Sequence, residues 1–338
     1  MHLHGLPLIL LLGIACALGA AGLTLLLARL SHPRPRGPFP GTMSLPPPAQ
    51  GRLALLFRER LAVHPGLNAV HLLVDPLVAL AARLDLIAAA ESAIDLQYYI
   101  WQDDTAGALM LAALREAAAR GVRIRMLIDD NGTYGLDDTL AALARIEGVE
   151  VRLFNPFPIR RARTLAYLAD FHRLNRRMHN KAMVVDGTLA ILGGRNIGDD
   201  YFNRFAPGGL YMDLDLAIAG PVIPEVAAQF DLYWNSALSL PAPALLPPLT
   251  PTQLATLLAA ETARLSRPEA TAYAEALSEM RATGSVLGPD APFTFAPAHL
   301  VFDPPEKVIG LIASHRMLWR RLMRVLGQPR HDLVLISP

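Results

Sequence analysis

Cysteine is almost absent from these 338 residues. Cys16 stands alone, so no internal disulfide can form and no cysteine-rich zinc site can be built. Lysine is nearly as scarce: Lys181 and Lys307 are the only two among 31 basic side chains, the rest being arginine, which marks both for attention. Charged residues make up only 18% of the chain and hydrophobic ones 52%. That balance excludes a disordered, charged tail protein and fits a folded chain with an extra greasy segment. A net charge of +1 excludes a polybasic nucleic-acid binder on global charge, leaving room for a local basic groove.

The greasy segment is residues 5–28, which carry no charge. At about 1.5 Å per residue a helix of that length reaches roughly 36 Å, enough to cross a hydrocarbon core of about 30 Å. The reading is a transmembrane anchor. A cleaved signal peptide competes with it but lacks a charged start, and a lipidated Cys16 is the third reading. Arg29, Arg34 and Arg36 follow the run and no Lys or Arg precedes it, so the positive-inside bias favours a body on the cytoplasmic side of the membrane. Residues 31–50 hold seven prolines and are expected as an extended linker without a packed core. A second proline cluster at 241–251 marks another boundary.

Between these boundaries the chain alternates. Residues 70–90 have the apolar spacing of a helix lying on a sheet, 93–101 read as a strand, 107–120 as a helix stopped by Gly121, and 122–128 as a strand. Strand, helix and strand make a βαβ crossover. A helix at 138–145 and a strand at 149–154 continue it, giving an α/β fold with a mixed sheet flanked by helices. Asp129 and Asp130 close a strand at its carboxyl edge, where ligands gather; solvated loop acids are the plainer reading.

Residues 178–196 read MHNKAMVVDGTLAILGGRN. Strand periodicity puts His179, Lys181 and Met183 on one face, and Asp186-Gly187 is a two-residue hairpin signal. Such a turn sets Lys181 opposite Leu192 and His179 opposite Gly194. The return strand then delivers Gly193, Gly194, Arg195 and Asn196 to the same end. An imidazole, an ammonium, an amide and glycine-rich backbone around one point suit a phosphate: the cations and N–H groups grip its oxygens, and the imidazole attacks phosphorus. The plain alternative is a pair of exposed residues beside a generic hairpin. Chance alone gives about 0.003 matches to His-x-Lys-x4-Asp in a chain of this composition.

This run resembles the HKD motif of the phospholipase D superfamily, with Gly194-Arg195-Asn196 as its follow-on, and is most similar to the bacterial cardiolipin synthase-like branch. The resemblance extends from about residue 60 to the end. It implies that His179 either attacks phosphorus or protonates the leaving alcohol, and that Lys181 and Asn196, with Gly194 and Arg195 beside them, hold the phosphate. Asp186 is implied as a turn residue of the motif. Asp213 is the acid expected to fix the imidazole tautomer, with Asp215 in reserve. No metal and no cofactor are implied. Arg160, Arg161, Arg163, Arg173, Arg176 and Arg177 crowd the approach among Leu165, Tyr167, Leu168 and Phe171. That pattern suits an anionic phospholipid at a membrane, with Arg173, Arg176 and Arg177 as headgroup contacts; an amphipathic surface helix with water-facing arginines explains it equally.

The family's chemistry needs two such histidines, and this chain has one motif: His299, His315 and His331 are followed two places on by Val301, Met317 and Leu333. Either two copies pair across an isologous interface, or the chain is the amino-terminal half of a longer enzyme. The division expected is an anchor at 5–28, a linker at 31–50, a first phospholipase D-like domain at 51–240, a helical connector at 241–330, and the opening strand of a second repeat at 331–338. The function implied is phosphatidyl transfer through a phosphohistidine, yielding cardiolipin from phosphatidylglycerol. A nucleic-acid phosphodiesterase and an inactive membrane module are the alternatives, and no nucleic-acid partner is expected.

Overall fold

In a computed structural model the described residues are 6–30, 39–202, 209–288, 291–310, 312–327 and 331–332. Helices α1 (Leu6–Leu30) and α2 (Arg52–Ala62) precede β1 (Asn68–Leu73), α3 (Pro76–Ala89), β2 (Ala93–Ile100), α4 (Thr105–Ala119), β3 (Arg123–Gly132), α5 (Asp137–Leu143) and β4 (Val149–Phe154). Then come α6 (Arg163–Leu174), β5 (Ala182–Val185), β6 (Leu189–Gly193), α7 (Asp199–Phe202), β7 (Asp215–Ala219), α8 (Ile223–Trp234) and β8 (Ser239–Pro241). The chain goes on through α9 (Ala242–Leu245), α10 (Pro251–Leu265), α11 (Pro268–Gly284), β9 (Thr294–Ala296) and α12 (Leu318–Leu326). The strands form one mixed sheet in the order β8-β4-β3-β2-β5-β6-β7-β1-β9.

The βαβ crossover is present: β2 and β3 are parallel, Leu96 facing Met126, with α4 between them in sequence. Asp104 opens α4 by accepting from Gly107 N–H, and Asp75 opens α3 by accepting from Leu77 and Val78. That second cap corrects the helix expected over 70–90. Residues 68–73 are β1, and the helix starts at Pro76 because Asp75-Pro76 supplies a cap and a proline at the first helical position. The larger apolar layer covers one sheet face, where Leu80, Ile87, Met110, Leu114, Leu140 and Leu277 join Ile94, Leu96, Ile124 and Met126. On the other face α8 lays Phe230, Tyr233 and Trp234 against Leu127, Phe154 and Met178.

That second face also carries residues 39–48, expected as a spacer without packing. Ser44 N–H donates to both Asp231 carboxylate oxygens at 3.0 Å, and Ser44 Oγ donates to Asp95 at 2.8 Å. Arg125 donates to Thr42 O, Ser44 Oγ, Asp95 and Asp231, and Arg152 to Pro40 O at 3.1 Å. The prolines hold the strap extended, while the threonine and serine between them satisfy buried charges that the sheet face would otherwise leave short of partners.

Helix α1 is present and the described side chains along it, 10–24 and 26, are exposed. Among the described residues no helix is long and apolar enough to cross a membrane. The opening strand expected at 331–338 lies almost wholly outside the described residues. The connector carries α9 to α12 and 3₁₀ turns at Pro305–Ile309 and Ser314–Arg316, and it also returns β9 to the sheet as the edge strand beside β1.

Candidate active site

The site forms where the carboxyl ends of β2 and β3 meet the residues entering β5 and leaving β6. His179 sits at its rim, exposed on one side and backed by the Tyr99 ring on the other, with ring centroids 4.9 Å apart. Lys181 is buried, its Nζ 5.3 Å from the same Tyr99 ring and donating to His179 O at 2.9 Å. One aromatic ring therefore neighbours both groups. Burial holds the Lys181 ammonium at a pKa of about 8, with Asp213, Asp129 and Asp215 opposing the drop. Partial desolvation, then the charges of Lys181 and Lys307, push His179 below the usual imidazole range, with Asp213 opposing. A neutral imidazole keeps the lone pair a nucleophile needs.

The hairpin differs from expectation by one residue. Val185 faces Leu189 and Ala182 faces Leu192, so Asp186, Gly187 and Thr188 make a three-residue loop. Asp186 and Gly187 both have positive φ (51° and 56°), and Thr188 N–H closes on Val185 O at 3.0 Å. Asp186 is locked there because its carboxylate accepts from the N–H groups of Glu91, Ser92 and Ala93 at 3.0, 2.8 and 2.9 Å. It lies at the opposite end of the hairpin from His179. Lys181 thus stands abreast of Gly193, whose N–H donates to Lys181 O at 3.3 Å, and not of Leu192.

That shift changes what the glycines do. Gly194 N–H is spent on Leu214 O at 3.1 Å, so it is no phosphate donor. A Cβ at Gly194 would fall 1.7 Å from Asp213 Oδ1, and one at Gly193 would fall 2.0 Å from Asp215 Oδ1. The glycines let two aspartates of the neighbouring chain segment lie across the return strand. Arg195 is likewise consumed: it donates to Leu73 O at 2.9 Å, Val74 O at 2.7 Å and Asp215 Oδ2 at 3.3 Å. It is a buried clasp and not a phosphate ligand.

Asn196 accepts from Ile100 N–H at 3.0 Å and donates one amide hydrogen to Tyr201 OH at 2.8 Å, which fixes the loop after β6 at the mouth. Asp213 is half-buried and accepts from Leu214 N–H at 3.0 Å; its charge acts on both His179 and Lys181. Asp215, the reserve, is buried between Arg83 (2.9 Å) and Arg195, which removes it from the imidazole. Arg173 is engaged by Asp170 at 2.7 Å and by Asn155 and Pro156 O, with its buried Nη2 left without a hydrogen-bond partner, and it does not line the cavity beside the site. Arg176 and Arg177 line a cavity beside the site.

Tyr99 and Asn131 escape the sequence reading as site residues, and Asp129, noted there at a strand's ligand-gathering edge, has a solvated loop acid as its plainer reading. Asn131 donates to Tyr99 OH at 3.2 Å and accepts from Tyr167 OH at 3.1 Å, bracing the ring beside His179 and Lys181. Asp129 is fully buried, not a solvated loop acid. It accepts from Met178 N–H and Asn131 N–H, both at 2.9 Å, and pairs with Arg177 at 3.3 Å. Burial pushes its carboxyl up to about 6 against the pull of Arg177. Asp130 is also buried, accepting from Phe157 N–H at 2.7 Å and pairing with Arg160. The position of both acids at a strand's carboxyl edge was the available signal. Among the described residues no group of three His, Cys, Asp or Glu could hold a metal ion.

An imidazole and a desolvated ammonium beside one aromatic ring, at the mouth of a mixed sheet, are the features of a phospholipase D-type half-site. Residues 84–234 match the family described as "Cardiolipin synthase, PLD-like domain". That match places residues 84–234 in the phospholipase D superfamily, in its cardiolipin synthase-like branch. It is 39% identical to cardiolipin synthase C of Escherichia coli over 286 residues, 85% of this chain and 60% of that protein. It is 34% identical to cardiolipin synthase A of Pseudomonas fluorescens SBW25 over 186 residues, 54% of this chain and 37% of that one. The chain thus spans about 60% of the first relative's length and 37% of the second's.

Proposed function

We propose that this chain supplies one half of a phosphatidyltransferase that makes cardiolipin from phosphatidylglycerol. The observation that carries the reading is the pairing of His179, held below its usual pKa, with the buried Lys181 beside the Tyr99 ring. An imidazole nitrogen attacks phosphorus and the bond from phosphorus to the glycerol oxygen breaks. The departing alkoxide takes a proton from a second imidazole. The hydroxyl of another phosphatidylglycerol then attacks the phosphatidyl-histidine, giving up its proton to that second imidazole and restoring both rings. Lys181 neutralises the phosphate oxygens throughout.

The second imidazole comes from a second phospholipase D-like half, joined in the same chain or contributed by another copy. The uncharged run at 5–28 supports a single-span anchor in a bacterial cytoplasmic membrane with the body on the cytoplasmic side. Relatives named as cardiolipin synthases support the lipid substrate. The experiment joins or mixes the chain with a second half carrying its own His-x-Lys-x4-Asp sequence and follows phosphatidylglycerol, glycerol and cardiolipin by mass spectrometry. His179→Ala is expected to lower conversion at least about 10³-fold. Conversion unchanged in that variant overturns the proposal.

A further inference from the structure

The scarcity of lysine singles out two positions, and the reaction as described uses only Lys181. The other, Lys307, lies in the 3₁₀ turn Pro305–Ile309 of the connector, far away in sequence. The fold brings it to the end of α6, where it lines a cavity of about 580 Å³ together with Arg176, Arg177, Asp303, Met317 and Trp319. This cavity adjoins the reacting centre. Arg177 is two residues from His179, it pairs with the Asp129 that holds Met178 N–H, and the Lys307 charge is felt at the His179 ring.

Its charges are not balanced. Three cations meet two carboxylates, Asp303 in the cavity lining and Asp129 behind Arg177. The Asp303 carboxylate is divided between Lys307 Nζ, at 3.0 Å, and Leu318 N–H at the start of α12. Arg176 spends Nη1 on the Lys307 carbonyl at 3.3 Å, and among the described contacts no carboxylate meets its guanidinium. Arg177 is more telling. Its side chain is only 7% exposed, yet Nε and Nη2 have no hydrogen-bond partner, its described contacts being Asn155 O, Asp129 and the Phe157 and Tyr167 rings. Buried guanidinium N–H groups without acceptors are costly unless something brings oxygens to them. Met317 and the half-exposed Trp319 give the same cavity an apolar wall.

We propose that Lys307, Arg176 and Arg177 form a second anion site, beside the one served by His179 and Lys181, that takes the phosphodiester of a second anionic glycerophospholipid. The inference rests on the transfer reading above and adds where the accepting lipid is held: its phosphate on the three cations, its glycerol toward His179, its chains along Trp319 and Met317. Holding the acceptor there replaces a chance encounter with a positioned hydroxyl. Arg177, shared between Asp129 and this pocket, joins the acceptor site to the residue preceding the catalytic histidine.

Binding reads the site without turnover. The 338-residue chain is titrated with inorganic phosphate, with phosphatidylglycerol vesicles and with phosphatidylcholine vesicles, as wild type, Lys307→Gln and Arg176→Gln, each checked for an unchanged melting temperature. Each substitution is expected to weaken binding to phosphatidylglycerol vesicles about tenfold, the loss of one charge-assisted hydrogen bond, and to leave phosphatidylcholine unaffected. Weakened binding of inorganic phosphate with unchanged binding of phosphatidylglycerol would make free phosphate the ligand and overturn the lipid assignment. Unchanged binding of both overturns the site itself. Failure of the joined halves to make cardiolipin, with these binding losses intact, removes the transfer reading and leaves the anion site standing.

Discussion

The same two strands, β2 and β3, carry charged residues at both ends of one sheet face, and the two ends have opposite characters. At the amino end Asp95 and Arg125 sit side by side, Asp231 comes down from α8, and the strap closes over them with Thr42 and Ser44. Arg125, Asp95 and Asp231 satisfy one another there, while Arg123 at the start of β3 meets Asp95 only at 3.9 Å and keeps buried Nε and Nη2 without hydrogen-bond partners. About 13 Å along the strands, Tyr99 and Asp129 border His179, Lys181 and Arg177. Among the described contacts, one ammonium here is desolvated without a carboxylate partner and the Arg177 guanidinium keeps buried N–H groups without acceptors. Buried charge at the first end closes a structure. At the second it waits for an anion. Residue type does not separate the two cases; the two carboxylates closed on Arg125 at the first end, and the described contacts of Lys181 at the second, which include no carboxylate, do.

The comparison breaks most easily at the sealed end. Arg125→Ala leaves the buried Asp95 and Asp231 carboxylates without their shared cation and is expected to cost about 3–5 kcal/mol of unfolding free energy, measured by urea denaturation. A loss below about 1 kcal/mol, the worth of an exposed pair, would show that the strap and cluster are solvated. Lys181→Gln should do the reverse. Transfer drops about 10²–10³-fold, as when one charge-stabilising donor is removed, while the melting temperature holds or rises, because a desolvated ammonium has gone.

The wild type carries the matching pH signature. Lys181 has its pKa depressed to about 8, so the ammonium is lost as pH rises through that value and transfer should fall on an alkaline limb near it. The sign for stability is opposite. The charged form is the one penalised by folding, so this group's contribution is unfavourable below pH 8 and the penalty disappears as pH rises toward the unfolded value. A rate flat from pH 7 to 9.5 would remove Lys181 from phosphate binding.

The smallest effect sharpens the boundary between the two characters. Gly194→Ala forces a methyl into Asp213, and overpacking of that kind costs about 1–3 kcal/mol. Because Asp213 acts electrostatically on both His179 and Lys181, the pH profile of transfer should move as well. A stability loss with an unmoved profile would reduce Asp213 to packing.

Much of this was legible beforehand, and what was not has physical causes. The crossover from β2 through α4 to β3, and β4 at 149–154, follow from apolar period and a glycine stop. Spacing alone brought His179 and Lys181 forward. The hairpin register slipped because Asp186 looks like a two-residue turn former, while three N–H groups from residues 91–93 draw it into a longer loop. Gly194 and Arg195 were misread because a motif says which residues assemble, not which are already spent on Leu214 O or Asp215. The strap looked unstructured because proline-rich composition hides the Thr and Ser that dock it. Tyr99 and Asn131 left no mark on the sequence at all, since bracing an aromatic ring needs only ordinary residue types.

The docked strap has one further consequence. With Thr42 and Ser44 fastened to the sheet, only twelve steps of chain separate Leu30 from Thr42, and fully drawn out they reach no more than about 43 Å. With the proposed anchor in a bilayer, such a tether keeps the reaction mouth within roughly a protein's breadth of the lipid surface. Each lipid encounter then behaves as an event within one molecule, at a local concentration fixed by tether length and not by how much enzyme the cell contains.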